Sequence, residues 1–470
     1  MEMEVMQMDE RYADSGVKYT LEGHRPSEEA IMRAWKCRFI CEYYGFKKLT
    51  GDGGEILRYA GVLPEGAIKE LLLKTYEDVS KLDDKQLEKL VKNDASKGWL
   101  VTLALMLTGR CQEECKICYT NRKAHPDELV WGEHKQLLDQ ARKAGTKIIY
   151  TAGMGEPTLD LSFLKICEYA KKHNLTFLFF TNGIVFSDEE TAQRTFGMSC
   201  RQLAETLKEY PINMYFSFWD TDPKVLAEMG RVNMARLLET DAVDYAYPGG
   251  SLRLPKGLAM LLEVMPEGKL GLQFTIAKQN QANATEKILP FIRWARKPVA
   301  KGGLGLGVYL EPLIHSGKNR GVLSNDAEPQ YLARVQKDEW VRDGKWCSED
   351  KNPTKLTINT LGFLQPGLAI NPLEATCFMR IFLNAISPET ESQEDFLGRL
   401  NVREGGKKGG KIRSLFDMRF LDLQVLTLFA AIGHQKEKVC VCEMIPRMVA
   451  PHMGLQKQTT GKRATPPLHS

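Results

Sequence analysis

The sequence predicts an α/β fold: a partial (β/α)6 barrel with a helical N-terminal extension and a small cysteine-bearing module on the C-terminal side. Three observations predict it. Short apolar runs of strand length stand at 100–107, 147–151, 175–181, 212–218, 270–277 and 307–312. Charged segments of helical period alternate with them, at 132–144, 161–172, 200–210, 222–239 and 284–297. From about Val341 to His434 the alternation stops, so the barrel ends before that point.

Residues 1–97 read as the helical extension. Ser27-Glu28-Glu29 opens an amphipathic stretch that runs to Tyr44, and a second follows from Asp83 to Val91. The glycines between Gly51 and Gly54 mark a loop between them. Residues 98–320 form the core. Strands joined by helical crossovers run parallel with helices outside, and six such units leave the barrel open on one side. Ligands of such sheets lie beyond the C-terminal strand ends, so motifs just after each apolar run carry the most weight. Residues 321–452 read as a separate module, with strand-like pieces at 356–359 and 361–364 and a glycine- and lysine-rich stretch at Gly405–Lys411. That stretch reads as a solvated loop in preference to a patch for an acidic substrate. The polar residues 453–470 read as a disordered tail.

The 470 residues, 43% hydrophobic, suffice for one large domain with smaller parts attached. A net charge of +4, from 64 basic and 60 acidic residues, implies no nucleic-acid partner. The acidic start is no secretory signal and no apolar run is long enough to cross a bilayer. The expectation is a cytoplasmic protein without a membrane partner. In that reducing compartment the 11 cysteines point to metals or catalysis more than to disulfides.

Cys111, Cys115 and Cys118 form a C-x3-C-x2-C pattern directly after the first strand. Three thiolates at this spacing can hold three irons of a 4Fe–4S cube and leave the fourth iron without a protein ligand. A zinc loop is the alternative, although no fourth ligand stands nearby in sequence. After the second strand comes Gly153-Met154-Gly155-Glu156-Pro157, a turn whose glycines permit close approach and whose proline fixes the exit. Thr181-Asn182-Gly183 ends the third strand, and the fourth carries Ser217 before Phe218-Trp219-Asp220.

Together these motifs resemble the radical S-adenosylmethionine (SAM) superfamily over about residues 98–320. The cysteine triplet followed by aromatic Tyr119 resembles its signature. Gly155, Glu156 and Pro157 match its Gly-Gly-Glu-Pro segment, with Met154 in place of a glycine. The resemblance implies an enzyme with a 4Fe–4S cluster on Cys111, Cys115 and Cys118, where SAM is cleaved reductively to a 5′-deoxyadenosyl radical that abstracts hydrogen. It implies SAM contacts from Gly153, Gly155, Glu156 and Pro157, and weaker ones from Ser217, Ile276 and Asn280. It also implies a flavodoxin- or ferredoxin-like electron donor.

Cys347, Cys377, Cys440 and Cys442 form a second group, which matches the ligand count of a further 4Fe–4S cluster or of a zinc site. Around them, Leu356–Gly362, Phe396–Leu400 and Ile412–Phe416 resemble the auxiliary-cluster (SPASM/twitch-like) extension of the family, with Arg399 in place of an asparagine. That extension implies a peptide or protein substrate. A small-molecule cyclase or dehydrogenase of cofactor maturation is the second reading, and an iron–sulfur electron carrier or scaffold a third. Cys37, Cys41, Cys167 and Cys200 fall in helical patterns and read as core residues. His315, after the sixth run, reads as structural.

Overall fold

The computed structural model describes residues 28–51, 66–116, 118, 124–151, 155–275, 277, 279–311, 355–358, 364–365 and 401–416. The strands are β1 (Thr102–Leu105), β2 (Ile148–Thr151), β3 (Thr176–Thr181), β4 (Ile212–Ser217), β5 (Ala242–Tyr247), β6 (Gly250–Pro255), β7 (Leu270–Thr275), β8 (Gly307–Glu311), β9 (Lys355–Ile358) and β10 (Leu364–Gln365). Eight of them make one sheet in the order β10-β9-β1-β2-β3-β4-β7-β8. Every pairing in it is parallel except β9 with β10. The six predicted strands are therefore β1, β2, β3, β4, β7 and β8, side by side in chain order. Among the described residues the two edges of the sheet do not pair, so the barrel is open.

Alternation along the strands divides the sheet into two faces. Phe177 and Phe179 of β3, with Met214 and Phe216 of β4, join the large outer core under the helices. Leu178 and Phe180, with Ala104, Tyr150 and Tyr215, form a smaller inner layer. The inner rings touch edge-on and stacked, Tyr150–Phe180 at 5.9 Å and Phe180–Tyr215 at 5.1 Å. A sheet buried on both faces needs near-continuous apolar strands, which is why the runs read as unbroken apolar text.

The crossovers agree with the helical periods. We number the helices α1 (Glu28–Thr50), α2 (Ala67–Val79), α3 (Asp84–Asn93), α4 (Trp131–Lys143), α5 (Phe163–His173), α6 (Ile184–Ser187), α7 (Glu189–Phe196), α8 (Cys200–Lys208), α9 (Pro223–Glu228) and α10 (Val232–Thr240). The single expected helix at 222–239 is two, α9 and α10, broken at Gly230 (φ 83°). Helix α8 starts on a capping box between Ser199 and Gln202, and α3 on one between Asp83 and Gln86. The N-terminal helices pack together, α1 burying Trp35, Cys37, Phe39, Ile40 and Cys41. Cys37, Cys41, Cys167 and Cys200 are all buried in the apolar core, as read from the sequence. No described helix is long and apolar enough to cross a membrane.

Three features differ from the sequence reading. The hairpin β5–β6 is inserted after α10, its Tyr247 packed on Phe291 and Trp294 at 5.5 and 5.6 Å. Its alternating strands carry only a weak apolar signal. Strand β9, read as part of a separate module, lies in the core sheet beside β1, and Met106 donates to the Ile358 carbonyl at 2.9 Å. Finally, residues 401–416, including Gly405–Lys411, are docked on α4. Gln140 joins Arg413 O and Leu415 N, Gln136 accepts from Ile412 N, and Gly409 N donates to Glu133. The lysine side chains there are exposed, but the backbone is not loose.

Candidate active site

Because the strands are parallel, the segments that follow β1, β2, β3, β4 and β7 meet at one end of the sheet. The loop after β1 carries Cys111, Cys115 and Cys118, all part-buried. It is fastened at three places. At its start, the Glu128 carboxylate accepts from Thr108 Oγ1 at 2.9 Å and Gly109 N at 2.6 Å. In its middle, the buried Glu113 carboxylate accepts from Asn233 N and Met234 N at the start of α10, where a negative charge meets the positive end of the helix. Further along, Glu114 N and Lys116 N donate to the carbonyls of Gly230 and Met229. A Cβ on Gly230 would stand 2.5 Å from Glu114 O, so only glycine permits this contact.

The turn after β2 locks against the same loop. Glu156 N donates to Arg110 O at 2.6 Å. Gly155 has φ 63°, and a Cβ there would stand 2.2 Å from Thr108 O and 2.4 Å from Arg110 O. Pro157 opens the short 3-10 turn that ends at Leu159, where its missing N–H costs nothing. The Glu156 carboxylate itself is buried and accepts four donors. Thr158 N and Oγ1 reach Oε1 at 3.3 and 2.8 Å, Thr181 Oγ1 reaches Oε1 at 2.8 Å, and Asn182 N reaches Oε2 at 2.6 Å. Burial pushes its carboxyl up, against the lowering pull of those bonds. The residue thus ties the ends of β2 and β3 together. Gly153 lies outside the described residues.

From β3 comes Asn182, whose Nδ2 donates to Cys111 Sγ at 3.7 Å and Gln112 Oε1 at 3.0 Å. The sequence reading placed this asparagine only at the end of the third strand. From the α9–α10 corner comes Arg231, buried at 1% exposure. It donates to the carbonyls of Ser217 and Asn182 and lies over the Trp219 ring, 4.7 Å from its centroid. Its Nε is buried without a partner among the described residues. Burial pushes the Cys115 thiol up to about 12, and the Arg231 charge opposes that. Arg231, Glu113 and Glu128 were not singled out in sequence, because their partners lie far away along the chain.

Residues 105–240 match the Radical SAM superfamily. Over this stretch the chain is similar to an enzyme superfamily, one that implies a 4Fe–4S cluster and SAM. A stretch of 89 residues is 30% identical to the tungsten-containing aldehyde ferredoxin oxidoreductase cofactor-modifying protein of Pyrococcus furiosus, covering 18% of this chain and 25% of that protein. Another of 79 residues is 30% identical to the S-adenosylmethionine-dependent nucleotide dehydratase of Selenomonas ruminantium, covering 17% and 28%. The chain thus matches only about a quarter of the length of each curated relative. Among solved structures it is similar to SuiB of Streptococcus suis bound to precursor peptide SuiA, with 13% identity, 81% and 82% coverage and a TM-score of 0.45.

The residues of this stretch fit a cluster. A thiolate must form on each ligand, and a buried guanidinium beside Cys115 favours the ionised form. Cys111 Sγ already accepts from Glu113 N at 3.4 Å as well as from Asn182. Hydrogen bonds to ligating sulfurs are among the features that set a cluster's potential. Among the described residues no three His, Cys, Asp or Glu side chains converge on a single ion. A cube takes each thiolate on a different iron and does not require that convergence.

The weaker sites divide. Ser217, half-buried at the end of β4, makes no side-chain hydrogen bond among the described residues, while its carbonyl holds Arg231. Asn280 is fully buried and committed: Nδ2 donates to Trp219 O and Thr275 O at 2.8 and 2.9 Å, and Oδ1 accepts from Ala277 N at 2.7 Å. It shapes the turn after β7 from within. Beside it, Asp220 has Oδ1 bonded to Thr221 N, Asp222 N and Asn283 Nδ2, while Oδ2 is buried without a partner among the described residues. Ile276, His315, Cys347, Cys377, Cys440 and Cys442 lie outside the described residues.

Proposed function

We propose that the protein binds a 4Fe–4S cluster on Cys111, Cys115 and Cys118, cleaves SAM reductively, and directs the 5′-deoxyadenosyl radical to abstract hydrogen from a substrate. One observation carries this reading: a C-x3-C-x2-C loop at the end of β1, clamped to the Gly155–Glu156 turn of β2 and contacted by Asn182 of β3. When bound, such a cluster supplies the electron that breaks a carbon–sulfur bond of the sulfonium. The protein's own residues then bind and orient. Gly155 and Pro157 shape a backbone edge for the methionyl group, which Glu156 ties in place, and Gly153 is a further contact for SAM that the family resemblance implies. The Ser217 hydroxyl and the unpartnered Asp220 Oδ2 offer groups for ribose hydroxyls, in a role that the committed amide of Asn280 does not fill.

The substrate we favour is a peptide or protein, on the C-terminal cysteine set and its auxiliary-cluster resemblance. Cys347, Cys377, Cys440 and Cys442 would then hold a second 4Fe–4S cluster. A small-molecule substrate is the second reading, supported by the two relatives named for cofactor modification and nucleotide dehydration. The test of the core reading uses anaerobically reconstituted protein reduced with dithionite. It converts SAM to 5′-deoxyadenosine and methionine, and changing Cys111, Cys115 and Cys118 together to alanine abolishes this. Undiminished cleavage in the triple variant overturns the reading. A precursor peptide encoded beside the gene and altered in mass by the enzyme separates the peptide reading from the small-molecule one.

A further inference from the structure

We propose that Arg403, in the segment docked on α4, is a positioning residue for the cysteine loop. The proposal rests on the cluster reading above, and deepens it by naming a residue far along the chain that holds the ligand loop. Arg403 and Glu133 are a buried pair, 2% and 1% exposed, joined twice: Nε to Oε1 at 2.6 Å and NH2 to Oε2 at 2.9 Å. The same guanidinium donates from NH1 to Asp127 O at 2.8 Å and from NH2 to Glu128 O at 3.3 Å. Its planar fork therefore grips a carboxylate on α4 and two successive carbonyls just before it, a task for arginine and not for lysine.

The residue gripped is the one that starts the cysteine loop. The Glu128 backbone is fixed by Arg403, and the Glu128 carboxylate holds Thr108 Oγ1 and Gly109 N. Thr108 Oγ1 in turn accepts from Arg110 N at 3.1 Å, one residue before Cys111. Arg403 is itself held rigidly. Its N–H donates to Asn401 Oδ1 at 2.9 Å, it pairs with Ile412 across a β-bridge, and Arg413 N donates to Val402 O at 2.7 Å. A chain of hydrogen bonds of 2.6–3.3 Å thus runs from the docked segment to the backbone that aims the first ligand. Ligand sets work only when their supporting groups hold them within about 0.5 Å, so loosening this chain disturbs the site without removing a ligand.

Two variants test it. Arg403→Lys keeps the charge and loses the fork. The double change Arg403→Met with Glu133→Leu removes the whole pair, which spares the fold a stranded buried charge. Hydrogen exchange is read on protein without cluster, over peptides covering 106–116, α4 and 401–416. Exchange at 106–116 is expected to rise several-fold in both variants. In reconstituted protein, SAM cleavage is expected to fall about tenfold with iron content retained and an altered EPR spectrum of the reduced cluster with SAM. Glu128→Gln, which removes one carboxylate acceptor directly, is expected to raise the same exchange. Exchange that rises only in α4 and 401–416, with 106–116 and the EPR spectrum unchanged, overturns the proposal and leaves Arg403 a docking residue. If wild-type protein cleaves no SAM, the functional reading fails while the exchange comparison still decides the role of Arg403.

Discussion

Glu156→Ala is the perturbation whose outcome the structure changes most. A side chain that only touched SAM would be removed at little cost to the fold. Here four donors converge on the carboxylate, two of them the backbone N–H groups of Thr158 and Asn182. The hydroxyls of Thr158 and Thr181 can rotate toward other acceptors, but the backbone groups cannot. Each buried donor left unsatisfied costs about 1–3 kcal/mol, so the two together cost about 2–6 kcal/mol. Against a total of about 5–15 kcal/mol for a typical domain, that is a large fraction. At about 2–4 °C per kcal/mol for a domain of this size class, Tm falls by roughly 4–24 °C. Scanning calorimetry of the cluster-free protein measures this without any contribution from SAM. A Tm within about 1 °C of wild type would refute the reasoning, and SAM affinity measured below both transitions then shows whether Glu156 also touches the ligand.

Three further outcomes follow from the same geometry. Asp160 sits on a turn where burial raises its carboxyl from the ordinary 3.8 to about 6. A raised carboxylate favours the folded state in its protonated form, so its contribution is complete below 3.8 and is lost as pH rises to about 6. Asp160→Asn should remove that dependence, which amounts to on the order of 3 kcal/mol, and chemical denaturation of both proteins across this window reads it. Gly155→Ala forces a Cβ to within 2.2 Å of the Thr108 carbonyl in a left-handed conformation, so iron uptake should fall sharply while circular dichroism stays close to wild type. Wild-type iron content in that variant would show that the turn and the cysteine loop move independently. If the C-terminal cysteines hold a second cube, wild-type protein binds about eight irons and the variant lacking the first triplet about four; no iron, or zinc, in that variant refutes the second cluster.

Much of the fold was legible because burial writes itself into composition. A parallel sheet covered on both faces needs unbroken apolar strands, and those of β1, β2, β3, β4, β7 and β8 appear as such between helix-period segments. The hairpin β5–β6 lacked that signal, being exposed on one side. Strand β9 gave a strand signal but not its place, because which edge a strand joins depends on partners distant in sequence.

The same division holds in the site. The sequence by itself carried the motifs from which the chemistry is proposed: three thiols at C-x3-C-x2-C after a strand and a Gly-Glu-Pro turn after the next, since both are local patterns set by spacing. Only the tertiary structure decided how those groups are held. It made Glu156 a tie between strands, committed Asn280 to backbone partners, brought Asn182 to the Cys111 sulfur, and put the Arg231 charge where it acts on Cys115. It also placed Arg403 behind Glu128. Hydrogen bonds between residues 26 to 275 positions apart leave no local pattern in the chain, and they form only once the fold brings those segments together.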